Sequence, residues 1–147
     1  MEVFIELLKE NDLRGLKELY ENAFEGSHTD LQSATMAFEK IRNNPLYNIL
    51  VAKDGEKVVG TVMGVACYEL FGSCKPFMVV ENVAVLQSHR RMGIAKKLFE
   101  RLEEVAKSLE CSAILFVSSE HRHWAHKLYE SLGYGQDKVY GYRKRLK

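Results

Sequence analysis

The chain is poor in the residues that build small stapled or membrane-bound proteins: it has three cysteines, two prolines and one tryptophan. Cys67, Cys74 and Cys111 are an odd set without Cys-x-x-Cys spacing, which argues against a disulfide framework or a zinc ribbon and for reduced, mostly packed thiols. No run reaches the 18 or so apolar residues of a membrane span. The opening MEVFIELLKEND sets acids inside its apolar part and has no basic leader, so no signal peptide is expected. Charge of one sign is lacking too. With a formal net charge of +1, no global field argues for a nucleic acid or a membrane as partner. These absences together predict a cytoplasmic protein. Repeats, low-complexity segments and linkers are also missing, and 147 residues, 46% hydrophobic, suffice for one core but not two. A single domain over 1–147 is expected.

What charge there is lies unevenly. Residues 1–30 hold eight acids against three bases. Arg90, Arg91, Lys96, Lys97 and Arg101 cluster in the middle of the chain, and Arg143, Lys144, Arg145 and Lys147 make the tail basic. No aromatic-interleaved basic groove accompanies either cluster, so the tail reads as a solvated face and nucleic-acid binding is not expected.

Periodicity divides the chain into alternating elements. Val3, Ile5 and Leu7 read as a first strand; Asn11 or Asp12 can cap a helix carrying Leu13, Leu16, Leu19, Tyr20 and Phe24, ended by Gly26. Thr29 is the expected cap of a second helix with Leu31, Ala34, Phe38 and Ile41 on one face, closed by Pro45. The segment Glu25 to Asp30 between the two looks free to line a substrate site. Tyr47–Ala52, the turn Lys53-Asp54-Gly55-Glu56 and Lys57–Tyr68 form a hairpin, with Gly60 and Gly64 marking bends or close backbone approach. Phe77–Leu86 is a strand, Gly93 opens a helix that buries Ile94, Leu98, Leu102, Val105 and Leu109, and Ala113–Val117 is a buried strand parallel to its predecessor. A helix over about 122–132 ends at Gly133, and a hairpin-like pair around Tyr134-Gly135 and Val139–Arg145 closes the chain. The class is α/β with a mixed sheet.

The stretch ENVAVLQSHRRMGIAKKL, 81–98, carries the clearest chemistry. A short β-branched strand runs into a basic turn and then a helix, so N–H groups near Arg90–Ala95 point outward with the positive end of the helix dipole. Gly93 has no side chain to hold a phosphate away, and Arg90 and Arg91 add charge. The turn predicts capture of a pyrophosphate.

Val83-Ala84-Val85, then Arg90-x-x-Gly93-x-Ala95, a buried strand, and Ala125-x-x-x-Tyr129-x-x-x-Gly133-Tyr134 together resemble the GNAT superfamily of acyl-CoA-dependent N-acetyltransferases. The order of elements resembles that superfamily over nearly the whole chain. The resemblance implies a mixed, mostly antiparallel six- or seven-stranded sheet splayed at its centre, with about four helices. It implies acetyl-CoA as cosubstrate, its pantetheine arm lying as an extra strand along the backbone of Val83, Ala84 and Val85 beside a bulge. The pyrophosphate would rest on Arg90, Arg91, Met92, Gly93, Ile94 and Ala95, and Arg122 would contact the cofactor at the last helix. Arg91 stands where a second glycine is common, and Arg122 where an asparagine is. The run from His121 to Tyr129 further resembles the last helix of aminoalkylphosphonate N-acetyltransferases, which suggests a small amine, anionic at its other end, as substrate.

Amide formation from an amine and a thioester requires a neutral amine and a proton for the departing thiolate. Glu81 is the candidate base; its ordinary alternative is a solvated or cross-strand-paired glutamate. Tyr129 matches the superfamily tyrosine that protonates the thiolate, and its alternative is a core aromatic. His121, His123 and His126 read as cap and surface histidines, since no carboxylate or cysteine completes a ligand set; no metal is expected. The leading expectation is an enzyme that moves acetyl from acetyl-CoA to a primary amine of a small molecule by direct attack in a ternary complex. Acetylation of a protein or peptide amine, and a non-catalytic acyl-CoA-binding sensor module, are the alternatives. The resemblance is compatible with a homodimer, although no apolar stripe demands one.

Overall fold

The computed structural model describes residues 2–120 and 122–147. They divide into two compact units, one ending at Leu115 and the other Phe116–Lys147. The first holds β1 (Val3–Leu7), a 3-10 turn (Glu10–Asp12), α1 (Leu13–Ala23), α2 (Leu31–Ile41), β2 (Tyr47–Asp54), β3 (Lys57–Cys67), β4 (Phe77–Val85), a second 3-10 turn (Gln87–His89), α3 (Ile94–Ser108) and β5 (Ile114–Leu115). The second holds α4 (His123–Ser131).

The sheet runs β1-β2-β3-β4-β5, antiparallel except for the final parallel pair across α3. Side chains alternate across it. Gly60 and Gly64 face α3, and a Cβ on either would lie 2.9 Å from the Ile94 Cγ2 or 2.6 Å from the Leu102 Cδ1. Close approach is what these glycines provide: they let Leu98, Phe99 and Leu102 of α3 pack fully buried. On the opposite face α1 buries Leu13, Leu16 and Leu19, with α2 packed on α1.

Three expectations are corrected. The described residues form five strands, not six or seven: no strand forms in 134–147, where Val139, Tyr140 and Tyr142 stand exposed. Their β-propensity has no ladder to join, and an unpaired segment leaves its backbone to water. The last strand shrinks from Ala113–Val117 to two residues. Asp30, not Thr29, caps α2, its carboxylate accepting the Ser33 N–H at 3.0 Å, while the Thr29 N–H turns back to Glu21 Oε2 at 3.2 Å. A charged acceptor is the stronger cap, and the helix starts one residue later to use it. All three cysteines are free; Cys67 and Cys111 are half-buried and Cys74 is exposed.

The first turn of α1 is tied to the sheet by a half-buried cation. Lys53 Nζ lies 2.6 Å from Asp12 Oδ1 and 2.8 Å from Glu6 Oε1, and Asp12 is 6% exposed. The bond to Asp12 raises the Lys53 pKa, and the bond from Lys53 holds the Glu6 carboxyl below its usual range. Stability from Lys53 is therefore lost only as pH rises through its raised value, and that from Glu6 only as pH falls through its lowered one. Lys53→Met, which strands a buried carboxylate, should cost about 3 kcal/mol, with little variation between roughly pH 5 and 9. Denaturant unfolding at several pH values checks this; a loss under about 1 kcal/mol would make the cluster a surface ornament.

Candidate active site

The ladder between β3 and β4 changes step in the middle. Thr61 pairs with Ala84 but Met63 pairs with Glu81, so β4 has one residue more than β3 over this stretch. The extra residue is accommodated at Asn82, whose φ is 57°. This is a β-bulge, as the resemblance implied, and asparagine is among the few non-glycine residues that adopt that conformation at modest cost. It reverses the siding of the strand: Met78 and Val80 are buried beneath α3 before it, whereas Val83 and Val85 take that face after it.

The backbone reverses with the side chains. The Leu86 N–H reaches the Val59 carbonyl on β3 at 2.9 Å, so the polar groups of Val85 and Val83 point to the opposite edge. The β4–β5 ladder has already ended at the pair Val79 and Leu115. The edge of β4 carrying Val83 and Val85 therefore has no strand beside it among the described residues. One of its groups is engaged: the Arg90 Nε donates to the Val85 carbonyl at 3.3 Å.

Beyond β4 the chain makes the expected turn. Gly93, at φ 76°, is the residue before α3, and a Cβ built on it meets nothing within 4 Å. The first intrahelical bond runs from the Lys97 N–H to the Gly93 carbonyl, so the N–H groups of Ile94, Ala95 and Lys96 have no acceptor within the helix. Ile94 turns its side chain into the core, leaving only its backbone outward. Arg91 is exposed with φ 64°, a conformation that favours the glycine whose absence the sequence noted. The Arg90 N–H donates to the Gln87 carbonyl at 3.4 Å, so it is not among the open groups of this turn.

Two contacts hold this turn from outside and one from within. Asn22 of α1 accepts the Gln87 N–H at 3.2 Å; His89 Nε2 meets Asp54 Oδ2 at the hairpin end at 3.1 Å; and His89 Nδ1 meets the Ser88 hydroxyl at 2.7 Å. Sequence reasoning missed all of these, along with Asn82. The Asp54-Gly55 turn was visible only as a hairpin signal, and Asn22 sits 65 residues from its partner.

Glu81, the candidate base, is exposed on the face that looks toward α1. It pairs with Met63, which shares a face with Thr61, and Tyr20 of α1 hydrogen-bonds Thr61. Burial pushes the Tyr20 hydroxyl up to about 12. The acids near Glu25–Asp30 are largely spent within the fold. Glu21 holds Lys17 and His28, and Asp30, its carboxyl held low by Ser33, caps α2. Only Glu25 of that segment stays an exposed acid without such a role.

In the second unit, Tyr129 is 7% exposed on α4, its ring edge-on to Phe116 at 4.5 Å. Burial raises its pKa, opposed by the nearby Arg122, so the phenol stays protonated at neutral pH. Arg122 lies over the Trp124 ring at 5.0 Å. His121 lies outside the described residues; His126 Nε2 donates to the Ser119 carbonyl at 2.9 Å, and His123 meets the His126 ring edge-on at 5.9 Å. That bond gives His126 a structural use.

Residues 13–134 match the model of the Acetyltransferase (GNAT) family. Among solved structures, a putative acetyltransferase from Agrobacterium tumefaciens is similar at 26% identity and a TM-score of 0.87, covering 97% of this chain and 99% of that one. A transcriptional regulator from Bacillus halodurans shares the fold at 23% identity and a TM-score of 0.90, over 99% and 100%. So does glucosamine-6-phosphate N-acetyltransferase from Arabidopsis thaliana, at 22% and 0.84, over 98% and 99%.

The turn itself is testable. Gly93→Glu puts a side chain and a negative charge into the open space beyond the helix start, at a φ that costs an L-residue about 1–2 kcal/mol. The variant should stay folded and lose roughly 100-fold or more in acetyl-CoA affinity by calorimetry. Unchanged affinity in a folded variant would remove the turn from the site.

Proposed function

Because the chain belongs to the Acetyltransferase (GNAT) family, we propose that it moves an acetyl group from acetyl-CoA to a primary amine of a small molecule, by direct attack in a ternary complex. The observation that carries this reading is the pairing of a bulged, unpartnered strand edge with a glycine-opened helix start a few residues later. The residues present fit acetyl-CoA. The N–H groups of Ile94, Ala95 and Lys96, which have no acceptor within the helix, suit a pyrophosphate; the open space at Gly93 admits it, and Arg91 adds charge. The edge groups of Val83 and Val85 suit an extended amide-bearing arm, with the Val85 carbonyl already taken by Arg90. Met92 and Ala84 contribute backbone to the same two segments, and Arg122 is the proposed contact from α4.

Acetyl-CoA supplies the acyl group as a thioester. Glu81 accepts the proton of the incoming ammonium, directly or through one water, so that the amine attacks neutral. Tyr129, held protonated by its burial, gives a proton to the departing thiolate. The family match over residues 13–134 includes both residues, in keeping with one N-acetyltransferase domain over 1–147. Three free cysteines suit the reducing cytoplasm, where we place the protein.

Thiol release with acetyl-CoA over a panel of small amines and amine-terminated peptides tests the reading. Turnover on a small amine is expected; acetyl-CoA binding without turnover on any amine would make the chain a sensor module instead. Tyr129→Phe separates acid from packing, since it removes one oxygen and keeps the ring against Phe116. Turnover should fall by roughly 10- to 10⁴-fold with melting temperature little changed. A fall of under about twofold, with chemistry rate-limiting, would leave Tyr129 as core only.

A further inference from the structure

Within the unit ending at Leu115, α1 and α2 leave part of one face of the sheet only half-buried. Thr61 and Ala84, paired across β3 and β4, are fully or nearly buried there. The next rows on the same face are Met63 with Glu81, then Tyr47, Val65, Val79 and Leu115 in register across β2 to β5. Met63, Val65 and Val79 are only half-buried, and Tyr47 and Leu115 are 38% and 40% exposed. The reverse side of the same strands is closed: Val62, Gly64, Ala66, Met78 and Val80 lie buried. Central strands of a sheet with helices on both faces normally bury both sets, so two apolar rows left half-covered in the middle of the sheet leave room for a ligand.

One charge stands in these rows. Glu81 is exposed at the edge of the apolar platform, beside the bulge, and no salt bridge to its carboxylate forms among the described residues. A ligand that satisfies both features has a single cation at one end and an apolar body. Successive side chains on one face of a strand are about 7 Å apart, so a short linker carries a flat ring from Glu81 to the Val65 and Val79 row. We infer that the acceptor is a primary amine on a flat apolar body, its ammonium at Glu81 and its body on Met63, Val65 and Val79. This rests on the acetyltransferase reading and narrows it. A sugar phosphate or a polyhydroxylated polycation would set polar groups against Val65 and Val79 with nothing to receive their hydrogen bonds.

The inference is tested with 2-phenylethylamine, kanamycin, glucosamine 6-phosphate and a lysine-bearing peptide as acceptors at matched concentrations, read by thiol release. Saturation-transfer NMR of each amine on the full chain gives binding without turnover. 2-Phenylethylamine should be used with kcat/KM at least tenfold above the other three and should show ring saturation. Val65→Thr and Val79→Thr keep the β-branched shape, and each should raise its KM by about three- to tenfold with kcat within twofold. Preference for kanamycin, the sugar phosphate or the peptide would overturn the inference and leave the acetyltransferase reading standing, as would unchanged KM in both folded variants. Thiol release with none of the four, while acetyl-CoA binds, would overturn the reading and the inference with it.

Discussion

A strand that gains one residue over its neighbour must turn its side chains and its hydrogen-bonding groups over together, and the rest of this structure depends on that happening at Asn82. Before the bulge β4 is an ordinary central strand, bonded to β3 on one side and β5 on the other. After it, the outward groups of Val83 and Val85 face an edge that β5 no longer reaches. An open edge in the middle of a sheet is normally a liability. Here it lies a few residues ahead of a helix start with unsatisfied N–H groups, so the two segments offer backbone donors and acceptors without any unusual side chain.

Such a site binds well only if its geometry is set in advance, because ordering a loop at the moment of binding subtracts from affinity. The contacts around the turn supply that ordering. Asn22 brings it to α1, the His89 and Asp54 contact brings it to the hairpin, and Arg90 clasps the strand it has just left. Arg91 and Asn82 hold positive φ angles that local preference disfavours, each costing on the order of 1 kcal/mol that packing elsewhere must offset. The Lys53 cluster and the close α3 packing over Gly60 and Gly64 provide it.

The legible parts of the chain were those where one residue decides a local conformation. Gly93 before a periodic helix, Asp54-Gly55 between apolar runs and the apolar 113–117 run each foretold their element, and β4 and β5 are parallel across α3 as read. Features set by distant partners were hidden. Thr29 and Asp30 are both good caps, and the Asp30 carboxylate accepts the Ser33 N–H while the Thr29 N–H turns to Glu21, a helix away. The β-like pattern in the tail was real, yet a strand is a property of a pair, and no partner is there among the described residues. The bulge was expected from resemblance, but its seat at Asn82 follows from a register no single strand can display. Glu81 was legible as a residue and illegible as a position: only its pairing with Met63 shows which face of the sheet it takes.

The central claim is that the broken edge of β4 and the start of α3 form one binding surface. Amide spectra of ¹⁵N-labelled protein during a titration with coenzyme A test it most directly, since they read the backbone groups themselves. The account predicts that the largest shifts fall on Val83, Val85 and Ile94–Lys96 together, with slowed exchange of the Val83 N–H on binding. Saturable binding that leaves the Val83 and Ile94–Lys96 amides unmoved would contradict it.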